Sequence, residues 1–220
     1  MRLGIVASAV AMLPPVISYV LSSDISGVAT TYTFTDHPIG AAAPSRLVVV
    51  CIQGGAAGGR TITSVTIGGV AATIVAATNA SSTIRNVFAY LAVPAGTTAT
   101  IVVNSSASLQ QCRINVYSIT GLQSSAPIDV QVNNTATATT GLSLTAPEGA
   151  AVIAGFSVSG GATAATWSWP GSAENHDAPL GGNDFSVASK TAPAAGTEAI
   201  SATGTGGTSS TSRLSAVAWS

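Results

Sequence analysis

ITSVTIGGVAATIVAAT, residues 62–78, decides the fold class. Val65 and Ile67 alternate with Ser64 and Thr66, which puts the apolar side chains on one face of an extended chain. Gly68-Gly69 supplies the positive φ angles that a two-residue hairpin turn requires, and Val70, Ala72 and Ile74 resume the alternation. The period is two, as in a half-buried strand, and not the 3.6 of an amphipathic helix.

Similar signals extend in both directions. PVISYVLSS (15–23) and TTYTFTDHPIG (30–40) are rich in β-branched and aromatic residues, and RLVVVCIQGG (46–55) is the apolar run of a central strand covered on both faces. NVFAYLAVPAG (86–96) and TATIVVNSS (98–106), separated by Pro94-Ala95-Gly96, read as a second hairpin. In CRINVYSITGL (112–122), Cys112, Ile114 and Val116 face one way and Arg113, Asn115 and Tyr117 the other, the pattern of a strand with one wet face. Residues 123–140 hold one short strand between polar loops, and GLSLTAP (141–147) and GAAVIAGFSVSGG (149–161) read as a strand pair turning at Glu148-Gly149. ATWSWPGSAENHDAPLGGND (165–184) is the longest irregular stretch, after which DFSVASKTAP, TEAISATGTGG and TSRLSAVAWS close the sheet. About eleven short strands are expected, without an amphipathic helix and without a repeat at a solenoid or propeller period. The expected fold is an all-β, two-sheet antiparallel, jelly-roll-like β-sandwich. Residues 1–15 form an N-terminal arm or docking strand, and residues 16–220 a single sandwich domain. The apolar stretch near the N-terminus resembles a signal peptide, but it carries one Arg and is broken by Pro14-Pro15, and it is too short to span a bilayer.

Charged residues are 7% of the chain, against roughly 25% in an ordinary soluble domain. The surface must therefore be built from Thr, Ser, Ala, Gly and Asn, and the net charge of -1 does little to keep neighbouring copies apart. Arg2, Arg46, Arg60, Arg85, Arg113, Lys190 and Arg213 are scattered singly, so no patch suits nucleic acid. Cys51 and Cys112 each lie in an apolar run, where a buried free thiol acts as a small hydrophobe; a bridge between adjacent strands is the alternative.

Hydrolysis needs a nucleophile with a base, or two carboxylates in contrasting environments. His37 lies in TFTDHPIG, where turn chemistry accounts for it. The sequons at Asn79, Asn104 and Asn133 are what so Ser/Thr-rich a chain produces by chance. The one concentration of ligand-type side chains is Trp167, Trp169, Glu174, Asn175, His176, Asp177 and Asp184. Three readings stand: a polar loop with tryptophans at core and rim, a sugar or partner contact with the indoles as a stacking platform, or oxygen donors for Ca²⁺. The D-x-[DN]-x-[DN]-G pattern is absent, and zinc would want more His or Cys, so neither metal nor cofactor is expected. The chain reads as a non-enzyme.

The run ITSVTIGGVAATIVAAT, then FAYLAVPAGTTATIVV (88–103), then CRINVYSITGL resembles a β-sandwich module of tailed-bacteriophage and prophage virion surface proteins. The likeness covers roughly residues 30–130 and rests on packing motifs, so it transfers no functional residue. It implies a capsid decoration protein or a tail or fibre component, assembled in the host cytoplasm, homo-oligomeric, with other capsid or tail subunits as partners and neither nucleic acid nor membrane. The alternative is a secreted or surface carbohydrate-binding module contacting glycans through Trp167, Trp169, Asn175 and Asp177.

Overall fold

Nine consecutive buried residues make β2 (Leu47–Gly55) the spine of the first half of the chain. It lies between β6 (Ile84–Ala92) and β7 (Thr98–Thr120), with Cys51 opposite Phe88 on one side and Asn115 on the other. The computed structural model describes residues 13–55, 58–76, 83–134, 139–159, 166–205 and 211–220. The first twelve residues of the arm, the Ala56-Ala57 tip, the sequon at Asn79–Ser81 and the Gly160-Gly161 pair lie outside these. The fold is all-β and sandwich-like, as expected, with fifteen strands among the described residues and every pairing antiparallel. Among the described residues no helix is long and apolar enough to cross a membrane.

Two strands of 23 residues, β1 (Val16–Pro38) and β7, run together as one bent ribbon. The first part of β7 also pairs with β3 (Ile62–Ile67), and its second part with β2. β1 bends at Gly27 (φ 117°), and the Tyr32 hydroxyl lies 2.8 Å from both the Gly27 and Leu109 carbonyls, holding the bend against β7. The hairpin expected at Gly68-Gly69 is present, joining β3 to β4 (Val70–Ala71), with φ of 60° and 80° at the two glycines. β5 (Thr73–Val75) then pairs with β6, so the sheet almost closes on itself. Phe34, Val50, Ile52, Val65, Ile101 and Ile114 fill its interior.

The second expected hairpin is not formed. β6 and β7 are separated by β2, and the chain between them crosses the end of the sheet. Buried Arg46 holds that crossing, donating to the carbonyls of Gly40 (2.6 Å), Val93 (2.7 Å), Ala95 (2.8 Å) and Gly96 (2.9 Å). The wet face expected for 112–122 is also absent, because Arg113, Asn115 and Tyr117 are buried under a second layer.

That layer comes from the second half, which repeats the connectivity of the first. β8 (Asp129–Asn133) and β9 (Thr139–Ala146) take the place of the two halves of β1, and β10 (Ala151–Ser159) that of β2. β11 (Thr166–Ser168) takes the place of β3, β12 (Ala173–Leu180) that of β5, and β13 (Asn183–Thr191) that of β6. β14 (Gly196–Thr205) and β15 (Thr211–Trp219) correspond to the two parts of β7. The order β12-β13-β10-β15-β8 thus mirrors β5-β6-β2-β7-β1, and β11-β14-β9 mirrors β3-β7-β1. The long strands of the first half are divided in the second, so its two sheets are separate. The expected β9–β10 pair is accordingly replaced by a crossing between sheets, and residues 166–184 carry β11, β12 and the start of β13 in place of an irregular loop. Phe156, Trp167, Trp169, Ile200 and Leu214 fill the space between these sheets, which the Lys190–Glu198 ion pair (2.6 Å) also joins.

The halves meet face to face. Register places Leu47 with Ala151, Val49 with Ile153, Cys51 with Gly155, Phe88 with Val187, Tyr117 with Val217 and Ile119 with Trp219 as equivalent positions. Every one of these except Gly155 is in the third buried apolar cluster, which forms the seam. Each half therefore packs on the other by the same face, as in the interface of a symmetric dimer. Cys51 faces its own counterpart: a Cβ at Gly155 would lie 2.7 Å from the Cys51 sulfur, too close for carbon and sulfur. Both cysteines are free and buried, on opposite faces of the sheet, and burial pushes both thiols well above their ordinary pKa. Gly155→Ala should cost about 1–3 kcal/mol through overpacking. Combining it with Cys51→Ala should restore part of that loss, read as a coupling energy from urea denaturation of the two single variants and the double variant. Additive losses would contradict the close approach.

Candidate functional site

The seven side chains singled out from sequence do not converge on one opening. Trp167 and Trp169 are 4% and 5% exposed, packed against Phe156 with ring centroids 4.5 and 6.4 Å away, and Trp169 donates its indole N–H to Ser186 Oγ at 2.8 Å. Their faces are in the core of the second half, so they build no sugar-stacking platform. The W-x-W spacing puts both on one face of the chain, and here that face points inward. Asp184 is buried at the start of β13, opposite Pro179 and Val158.

The other four lie on β12, which has a register shift between Glu174 and His176. Asn175 sits in that shift and its Oδ1 accepts a hydrogen bond from the Tyr117 hydroxyl of the first half (3.0 Å). Asp177 Oδ2 accepts from the Trp167 backbone N–H (3.0 Å), and burial raises the pKa of Asp177 above the usual carboxylate range. Glu174 is exposed, and its pKa is raised by partial desolvation and by the neighbouring Asp177 charge. His176 is half-buried, and its pKa is lowered by desolvation first and by the Arg113 cation second.

What β12 touches is a polar seam between the halves. Arg113 makes a bidentate pair with Asp24, Nε to Oδ1 at 2.6 Å and Nη2 to Oδ2 at 2.7 Å. Its remaining reach goes across the seam: Nη1 donates to the Ala178 carbonyl at 2.5 Å, and the guanidinium carbon lies 5.5 Å from the Phe185 ring centre. Four wholly buried side chains continue the seam inward. Asn115 Nδ2 donates to Gln53 Oε1 (2.8 Å), Gln53 Nε2 to the Phe156 carbonyl (2.9 Å), and Asn86 Nδ2 to the carbonyls of Gly155 (2.9 Å) and Arg213 (2.7 Å). Ser157 donates to Asn86 Oδ1, and Ser22 to Asn115 Oδ1. Arg113 and Arg213 occupy equivalent register positions, opposite Gln53 and Ser157. The two contacts Arg113–Phe185 and Asn86–Arg213 therefore pair the same two positions from opposite sides.

This arrangement fixes a register and an angle between two layers. The Arg113 charge is neutralised by Asp24. Arg113 is buried whereas Asp24 reaches solvent, so the pair anchors the Arg113 side chain at the seam. Among the described residues no three His, Cys, Asp or Glu side chains are grouped to hold a metal ion. A cavity of about 200 Å³ lies at the other end of the seam, lined by Pro44, Ser45, Leu47, Ala92, Leu122 and Gln123 among others, and its one cation, Arg46, is engaged by four carbonyls. Sequence reading misses the seam because Asp24 and Arg113 are 89 positions apart and each looks like an isolated surface charge. The repeated Arg at equivalent positions of CRINVYSIT and SRLSAVAWS is the signal that would have found it. No model of a known protein family matches the chain, and no characterised protein matches it in sequence.

Burial lowers the pKa of both histidines, His37 and His176. The folded protein then binds fewer protons than the unfolded chain, whose histidines titrate near about 6.5. Their contribution to stability is complete above that value and is lost as pH falls through it. The urea midpoint should therefore drop between pH 7.5 and 5.5, and should drop less in a His37→Gln, His176→Gln double variant. The raised carboxylates Glu174 and Asp177 act in the opposite sense at lower pH, so the comparison belongs in this window. An unchanged midpoint in the parent protein would contradict the assignment.

Proposed function

We propose that the chain is a non-enzymatic structural protein of a bacteriophage virion, a capsid decoration protein or a tail or fibre component, that interlocks with neighbouring subunits. The observation that carries the reading is the disposition of polar chemistry. The buried cations Arg46, Arg113 and Arg213 donate to backbone carbonyls, and Lys190 pairs with Glu198 between two sheets. Charged groups thus serve the rigidity of the body. With only 7% charged residues, the exterior is left weakly charged and suited to close packing against other protein surfaces. The resemblance of the VTIGGV, AVPAG and INVYSITGL motifs to phage surface modules supports the same setting. Burial of Trp167 and Trp169 removes the stacking surface on which the carbohydrate-binding alternative depended.

The test is the composition of particles. Phage or prophage particles purified from a culture carrying the gene, on a density gradient, should contain the chain in a fixed ratio to the major capsid or tail protein. Its absence from particles, with the chain recovered only in the soluble fraction, would overturn the reading.

A further inference from the structure

We infer that the outer edge of β1 is a strand-acceptor site whose occupant is the N-terminal segment, residues 1–12, of a second copy of this chain; the inference deepens the virion reading above and names how copies would interlock. Among the described residues β1 pairs only with β7, so one side of a 23-residue strand offers backbone N–H and C=O groups to a newcomer. Other edges are short or already engaged. β4, β5, β11 and β8 have two, three, three and five residues. The Gly141 carbonyl and Thr145 N–H of β9 are bonded by Asn133 and Asp129, and β12 carries Pro179, a register shift and a carbonyl held by Arg113. β1 lacks such protection over Leu21–Ser26, its longest run of unbroken register.

The chemistry of the edge fits this occupant. Of six exposed large apolar residues among those described, Leu13, Val16, Leu21 and Val28 lie on β1 or just before it. Asp24 on this edge is already paired with Arg113, so the match is apolar, and MRLGIVASAVAM carries a single charged side chain, Arg2. Twelve extended residues reach about 40 Å, more than the unbroken run Leu21–Ser26 requires. The two prolines that lead into β1 lie against other parts of the molecule. Pro15 and Pro14 pass within 3.7–3.8 Å of a Cβ placed at Gly121, beyond the end of β7, and Pro14 Cβ is 3.2 Å from one placed at Gly149, in the turn before β10. Two prolines in succession also supply no N–H for a tight hairpin back to β1. A second copy is therefore the receiver, and added main-chain hydrogen bonds would be the source of affinity.

Among the described residues the three apolar cores draw on none before Ile17, so the packing described above involves only residues retained in a chain beginning at Leu13. Sedimentation velocity should show the full chain self-associating and the variant lacking residues 1–12 as a monomer. A synthetic peptide of residues 1–12 should bind that shortened variant, and a scrambled peptide should not. Leu21→Lys with Val28→Lys, at sites 43% and 75% exposed, should leave the fold intact by circular dichroism and weaken peptide binding about tenfold or more. Self-association that survives removal of residues 1–12, or a full chain that stays monomeric, would overturn the inference. Failure of the virion reading has a different signature, since absence from particles leaves these solution results unchanged.

Discussion

Six equivalent positions on the inner face of each half, centred on the contact of Cys51 with Gly155, set how the rest of the molecule is arranged. Two faces of equivalent topology can meet without a gap only if their side chains are not identical. Small residues in one half must meet large ones in the other, as close packing requires. The close approach of Cys51 to Gly155 shows that difference in size. The seam is consequently specific to a first half meeting a second half.

The polar network gives that apolar contact its direction. Hydrophobic burial has no preferred angle, whereas Gln53, Asn86 and Asn115 reach named carbonyls and amides only in one orientation of the layers. Because these groups are wholly buried, each hydrogen bond lost would leave a polar atom without water, so a small rotation between the halves is strongly opposed. Arg113 extends the same control to the rim, where it ties β1 of the first half to β12 of the second through Asp24 and the Ala178 carbonyl. A body fixed in this way has a constant outer shape, which is what repeated packing against neighbours demands.

The fold class was legible from period-two alternation, and the Gly68-Gly69 hairpin and the buried β2 were legible residue by residue, because both are local properties. Partner choice was not. Pro94–Gly96 and Glu148-Gly149 look like hairpin turns, but each crosses from one strand to another that is not its neighbour, and Arg46 or a second sheet supplies the missing partners. The apolar alternation of 112–116 suggested a wet opposite face, because nothing local says that Arg113 and Asn115 will be covered by β10 and β13. The repeated connectivity was hidden for a related reason. The equivalent residues lie about a hundred positions apart, and apart from Arg113 and Arg213 most differ, since the seam selects unlike sizes at like positions. At the candidate site, the clustering of Trp, Asn, His and Asp in 167–177 was real in sequence, but strand alternation sends the indoles to the core and leaves the polar groups to the seam.

The seam makes two topologically equal halves into a single cooperative body. Native-state hydrogen exchange read strand by strand tests it most directly. The amides of β2 and β10, facing each other across the seam, should be the slowest in the molecule and should open together, with one common free energy equal to that of global unfolding. Exchange of β10, β13 and β15 at a separate and lower free energy, with β2 and β6 still protected, would contradict it.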